Sequence, residues 1–144
     1  MQFDLVSDLH IDRWETDQQI QWQGLGTSLV CVVAGDVSDD LDLTVYELMR
    51  ISRSYKTVFF VDGNHEHQFS YNKISANEAY LSEKISKLCR NVVYLNRKMA
   101  TIGDTLFVGT NNWWSFDFGE PKVSRETCIE AFNQVAHKHG IDHT

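Results

Sequence analysis

Three times in the first 66 residues an apolar run stops abruptly at a knot of Asp, His, Asn or Gly. Residues 2–7 run into Ser7-Asp8-Leu9-His10, and residues 28–34 (Ser-Leu-Val-Cys-Val-Val-Ala) run into Gly35-Asp36. Residues 57–62 (Thr-Val-Phe-Phe-Val-Asp) run into Gly63-Asn64-His65-Glu66. Each run reads as a short strand, and the second, apolar throughout, has the character of a strand buried on both faces. Strands of that kind belong to parallel sheets, whose polar side chains gather in the crevice beyond the carboxyl ends. The constraint is therefore double: a layered α/β fold, and one sheet edge that collects every polar group.

The segments between the strands agree with this reading. Leu43, Val45, Tyr46, Leu48, Met49 and Ile51 recur at helical spacing, with Asp40 or Asp42 as N-cap, which makes a β-α-β unit. A second helix is predicted to start at Ser75, whose spacing to Glu78 matches a capping box, and to bury Leu81, Ile85 and Leu88. Val92 to Leu95, Lys98 to Ile102 and Thr105 to Gly109 read as short strands. A last helix is expected from Ser124 to about Lys138, with Cys128, Ile129, Phe132 and Val135 on one face and Gly140 as its stop. No internal repeat or linker interrupts the 144 residues, so the chain is expected to form a single domain, 1–144.

Composition excludes several classes. No stretch approaches the ~20 apolar residues of a membrane span, and the start Met1-Gln2-Phe3-Asp4 has no basic region or apolar signal core, so a cytoplasmic location is expected. Cys31, Cys89 and Cys128 are odd in number and form no C-x-x-C, which favours buried free thiols over disulfides or a zinc knuckle. The net charge of −7 argues against a basic surface for duplex DNA. Residues 1–42 hold nine carboxylates and one cation, a balance of −8, whereas residues 43–144 balance to +1. The excess thus lies where the first two polar knots lie, either as a solvated acidic face or as a cation site.

Singly, each knot has a plain structural explanation. Asp8 and Asp36 suit strand-end turns, Asp39 and Asp40 suit helix caps, and Asn64 after Gly63 suits a turn with positive φ. Jointly, Asp8, His10, Asp36 and Asn64 supply carboxylate, imidazole and amide donors at three adjacent strand ends without a nearby thiolate. That donor set suits Mn, Fe, Co or Zn. Gly35 and Gly63 would let the backbone turn tightly beside the ions.

The set D-x-H at Asp8–His10, G-D at Gly35–Asp36 and G-N-H-E at Gly63–Glu66, in this order, resembles the first three motifs of the calcineurin-like metallophosphoesterases. The resemblance extends through the helical spacers to Asn111-Asn112-Trp113-Trp114 and implies the first sheet and flanking helices of an α/β/β/α sandwich. It implies two divalent metal ions, with Asp8 and His10 on the first, Asp36 bridging both and Asn64 on the second. His65 would face the substrate, stabilising charge on the phosphoryl group or protonating the leaving oxygen, and Glu66 would orient a neighbouring imidazole. In the implied reaction, two cations ~3.5–4 Å apart share a water of lowered pKa, and the resulting hydroxide attacks phosphorus in a phosphomonoester or phosphodiester. A nucleotide fits such a site; a nucleic-acid duplex does not, for want of a basic groove.

Complete members of that family carry two later motifs, a metal-binding His and a G-H-x-H pair, and this sequence has neither. His67, His137, His139 and His143 remain, none in a G-H-x-H context. His67 reads as a loop residue on the rim, and the other three as polar residues at a helix end. The chain thus reads as the first sheet with the beginning of the second, lacking the C-terminal half. The alternative to an enzyme is a non-catalytic metal-binding or interaction module on the same fold. An apolar sheet face without its partner would need cover, from a second copy in a homodimer or from Trp113 to Phe118 folding back.

Overall fold

The structure, a computed structural model, describes residues 1–15, 19–68 and 74–111 together with positions 130 and 134. The chain divides into two compact units, Met1–Asn111 and Asn112–Thr144. The first contains strands β1 (Asp4–Val6), β2 (Val30–Ala34), β3 (Thr57–Val61), β4 (Val92–Tyr94), β5 (Lys98–Ile102) and β6 (Thr105–Gly109). It also contains helices α1 (Leu41–Ser52) and α2 (Ile74–Leu88) and, among the described residues, the 3-10 turns Ile11–Arg13 and His65–His67. Of the last helix expected from sequence, only Glu130 and Gln134 are described, both helical and exposed; the rest of it, Cys128 and Trp113 to Phe118 lie outside the described residues.

Strands β1 to β4 form one parallel sheet in the order β1-β2-β3-β4. The strands are shorter than the apolar runs by one or two residues at several ends, because only paired residues count as sheet and β1 finds partners only in Cys31, Val32 and Val33. Alternation assigns the two faces. Val33, Phe60 and Tyr94 lie side by side on the helix face, where they pack with Val45, Leu48 and Ile51 of α1 and Leu81 and Ile85 of α2. Phe59 lies on the opposite face with Val32 and Val93 as its lateral neighbours.

Three helical expectations need correction: the buried stripe of α1, the capping box of α2 and the burial of Leu88. Asp40 alone caps α1: its Oδ1 accepts from the backbone N–H groups of Asp42 (2.7 Å) and Leu43 (3.0 Å). The buried stripe of α1 is Thr44, Val45, Glu47, Leu48 and Ile51, whereas Leu43 and Tyr46 are exposed. Glu47 tolerates burial because Trp22 Nε1 donates to its Oε1 (2.6 Å) and Arg50 Nη1 to its Oε2 (2.7 Å). In α2, Ser75 lies inside the first turn, so it does not form the expected capping box with Glu78; Glu78 is drawn away to Arg97 and Asn111. Leu88 faces solvent, and Cys89, one residue on, takes the buried place.

The antiparallel pair β5–β6 covers the middle of the other sheet face. Phe107 stacks on Phe59 at 4.2 Å, and Ala100, Ile102 and Phe107 pack against Val30, Phe59 and Leu95. The sequence assigned this cover to a second copy or to Trp113–Phe118; in the centre of the face it comes from the chain's own hairpin. The hairpin's outer residues Met99, Leu106 and Val108 are exposed. Inner and outer positions should therefore respond differently. Phe59→Ala should cost about 3–5 kcal/mol in denaturant unfolding, while Met99→Ala should stay within about 0.5 kcal/mol of wild type.

Candidate metal centre

Because β1, β2 and β3 are parallel and adjacent, their carboxyl ends meet at one edge, and the three polar knots meet with them. Backbone bonds extend the contact past the strands. The N–H groups of Asp8, His10 and Ile11 donate to the carbonyls of Gly35 (3.2 Å), Asp36 (3.1 Å) and Val37 (2.9 Å). This lacing forces left-handed backbone on Asp8 (φ 53°), His10 (φ 43°) and Asp36 (φ 55°); Arg97 is the other described non-glycine residue with positive φ. Each costs roughly 1–3 kcal/mol, and Asp and His are among the residues that bear such φ values best. Three of the four candidate ligands thus sit on strained backbone that their surroundings hold in place.

Two glycines and one carboxylate do the holding. A Cβ on Gly35, whose φ is +75°, would lie 2.6 Å from Gly63 N, and a Cβ on Gly63 would lie 2.1 Å from Asp36 Oδ1. Only glycines let the two strand ends approach this closely. Glu66 then bridges them: its Oε2 accepts from Gly63 N (2.7 Å) and Asp36 N (3.0 Å), and its Oε1 from Val37 N (2.7 Å) and, more weakly, Ser38 N (3.4 Å). The residue is 1% exposed. Burial, opposed by the N–H groups of Gly63, Val37 and Asp36, leaves its carboxyl above the usual carboxylate range. Glu66 was expected to orient an imidazole; it organises backbone instead.

The imidazole is oriented by a residue that the sequence assigned to helix capping. His65 Nδ1 lies 2.5 Å from Asp39 Oδ1, and since an ionised carboxylate can only accept, Nδ1 carries the proton and Nε2 is left for other work. The backbone N–H of His65 donates to Asp36 Oδ1 (3.0 Å). The rings of His10 and His65 meet edge to face with centroids 4.4 Å apart. His10, Asp36 and His65 each offer a ligand atom within 4.8 Å of the others, and so do His10, Asp12 and Asp39. Asp8 and Asn64 are exposed on the same edge, but Asp8 belongs to neither group.

A metal fits the residues in one specific respect. His10 Nδ1 is buried and has no hydrogen-bond partner in the described structure. A buried imidazole nitrogen without a partner is unfavourable unless something else satisfies it, and a divalent cation is the partner that the adjoining carboxylates suit.

Beneath this layer lies another that the sequence did not signal. His67, expected on the rim, is fully buried, with Nε2 2.5 Å from Asp62 Oδ2. Asp62 also accepts from Tyr94 Oη (2.6 Å) and Asn111 Nδ2 (2.8 Å). Burial raises the Asp62 carboxyl, but the bonds from His67, Tyr94 and Asn111 outweigh it and leave the group below its ordinary value of 3.8. The only sequence hint was the length of the polar run, Asp62 to Gln68, which exceeds what a turn requires.

Two outcomes follow from this wiring. Glu66→Gln replaces one acceptor oxygen by an N–H₂ facing backbone donors, so unfolding free energy should fall by about 2 kcal/mol or more, read by urea denaturation. A carboxyl whose folded pKa is lowered contributes stability that is present above its unfolded value and lost as pH falls through the folded one. The thermal-stability advantage of wild type over Asp62→Asn should accordingly be full at neutral pH and shrink as pH falls through and below 3.8, the ordinary value of the group; an advantage that grows on acidification would show that Asp62 is not ionised in the folded chain.

Comparison with known proteins agrees with this architecture. An uncharacterized protein, L509, of Acanthamoeba polyphaga mimivirus is 25% identical over 83 residues, covering 55% of this chain and 29% of L509. The crystal structure of phosphopantetheinyl hydrolase (PptH) from Mycobacterium tuberculosis superposes with a TM-score of 0.67 at 20% identity, over 97% of this chain and 51% of that one. The chain thus spans about half of the solved protein and less than a third of the curated one. The calcineurin-like phosphoesterase family matches residues 1–138, and with its parallel sheet and three strand-end motifs the chain belongs to that family.

Proposed function

We propose that this chain carries the metal-binding and phosphate-facing residues of a hydrolase acting on a phosphomonoester or phosphodiester. The observation that carries the reading is the convergence of His10, Asp36 and His65 at one sheet edge, with a buried His10 nitrogen that lacks a protein partner among the described residues. In this reading Asp8 and His10 hold one divalent ion, Asn64 holds a second, and Asp36 is shared by both; Mn, Fe, Zn and Co suit the donors. Bound divalent ions would supply Lewis-acid polarisation of the phosphoryl oxygens and acidify a water, and would reverse the local negative charge that otherwise repels a phosphate.

The protein's own contribution is orientation and proton handling. As water adds to phosphorus and the P–O ester bond breaks, the departing oxygen needs a proton and the phosphoryl oxygens gain charge. His65 Nε2 is assigned to one or both tasks, with Asp39 fixing the ring through Nδ1. The substrate class includes nucleotides. A duplex nucleic acid is disfavoured by a net charge of −7.

Calorimetry with Mn²⁺ tests the metal assignment: Asp36→Asn should weaken binding far more than Asp39→Asn, and equal losses would remove the shared-ligand role of Asp36. An aryl phosphate assay tests the chemistry. His65→Ala should lower turnover by about 10²–10⁴ while Mn²⁺ binding persists. Tight Mn²⁺ binding by wild type without turnover, in a form supplying all metal ligands, would favour the non-catalytic metal-binding module.

A further inference from the structure

The turn that carries Asn64 and His65 is only a few residues long, and its own backbone bonds are few: His67 N to Asn64 O (3.1 Å) and Gln68 N to His65 O (3.2 Å). Its place is set by the two side chains after His65, which reach different partners. Glu66 grips the loop after β2, as described above. His67 reaches the other way, into a cluster of buried polar groups that takes no part in the proposed chemistry. There Asp62 Oδ2 receives His67 Nε2 (2.5 Å) and Asn111 Nδ2 (2.8 Å), and Asp62 Oδ1 receives Tyr94 Oη (2.6 Å). His67 Nδ1 lies 3.2 Å from Asn77 Nδ2 in α2, which also donates to the carbonyl of Glu66 (3.3 Å). Asn111 in turn donates to Glu78 Oε1 (3.1 Å), whose Oε2 accepts from Arg97 (2.7 Å).

Burying a carboxylate against an imidazole is an expensive way to fill space, and apolar residues of similar volume commonly do as well or better for stability. Asp62 and His67 have fully buried side chains all the same. What the pair supplies that a methyl group does not is direction. It sets the turn at a fixed distance from β3, β4 and α2, with His65 one residue before Glu66 and two before His67.

We infer that Asp62 and His67 are positioning residues for His65. They hold the turn in the register that brings His65 Nδ1 to Asp39, and Asn111 joins the exit from β6 to the same bracket. The pair touches neither substrate nor metal in this arrangement. Its consequence for turnover rests on the phosphoesterase reading; its consequence for the His65–Asp39 bond does not.

The experiment uses the 144-residue chain with isotope-labelled histidine, recording the ring Nδ1–H resonance of His65 by NMR, with Asp39→Asn to assign it. In His67→Ala the resonance should shift or vanish while circular dichroism keeps the wild-type helix signal. His67→Gln, which restores an N–H donor toward Asp62, should bring it back. Leu48→Ala, a core change in α1, should leave it in place. Where wild type turns over an aryl phosphate with Mn²⁺, His67→Ala should lose about 10²-fold in kcat at saturating Mn²⁺, the scale of a small misplacement, with KM nearly unchanged. An unmoved His65 resonance in His67→Ala overturns the inference whether or not the chain is active, and so does failure of His67→Gln to restore it. Should His67→Ala not fold, Asn111→Ala decides by the same resonance: a shift supports the bracket, and no change refutes it.

Discussion

The carboxylate of Glu66 receives backbone N–H groups from both sides of the gap between the ends of β2 and β3. Without it, the approach that Gly35 and Gly63 permit would leave several donors buried and unpaired, a cost of the order of 1–3 kcal/mol for each. This grip holds Asp36, through its N–H, in its left-handed conformation, Asp36 Oδ1 in turn accepts from His65 N, and the loop after β1 is laced to the Asp36 segment. The candidate site is thus a consequence of one buried acceptor with several donors to satisfy. The hydrophobic layers on either face of the sheet keep the strands parallel and the edge open, but they do not choose which side chains converge there.

Electrostatics favours the same edge. The first third of the chain holds a balance of −8, and Asp12, Asp36 and Asp39 stand within reach of His10. Local partners absorb part of this charge: Asp39 faces His65 and lies 4.0 Å from Arg13. The remainder suits cations. A carboxylate cluster is common on protein surfaces without any ion, and what sets this one apart is the buried imidazole nitrogen of His10, which no protein group satisfies among the described residues.

Much of this was legible in the chain of letters because it rests on period and punctuation. Apolar runs ending in Gly-Asp and Gly-Asn-His-Glu marked the parallel strands and their loaded ends, and Asp40 was one of two caps named for α1. Roles that depend on three-dimensional direction were not legible. Asp39 and Asp40 are adjacent and chemically identical, yet one turns to His65 and the other to the start of α1. His65, Glu66 and His67 are consecutive, and a 3-10 turn sends them to three different neighbours. Ser75 and Glu78 had the spacing of a capping box, but Arg97 and Asn111, distant in sequence, hold Glu78. The hairpin was visible as two strands; that Phe107 would cover Phe59 was not, because nothing local says which sheet face a hairpin will choose.

The central claim is that divalent ions bind at the carboxyl ends of β1, β2 and β3 with Asp36 as the shared ligand. Anomalous diffraction from crystals grown with Mn²⁺ tests it most directly. The account requires two anomalous peaks about 3.5–4 Å apart, both within bonding distance of the Asp36 carboxylate and one of them beside His10. A single peak held by Asp12 and Asp39 away from Asp36, or no peak at this edge at saturating Mn²⁺, would contradict it.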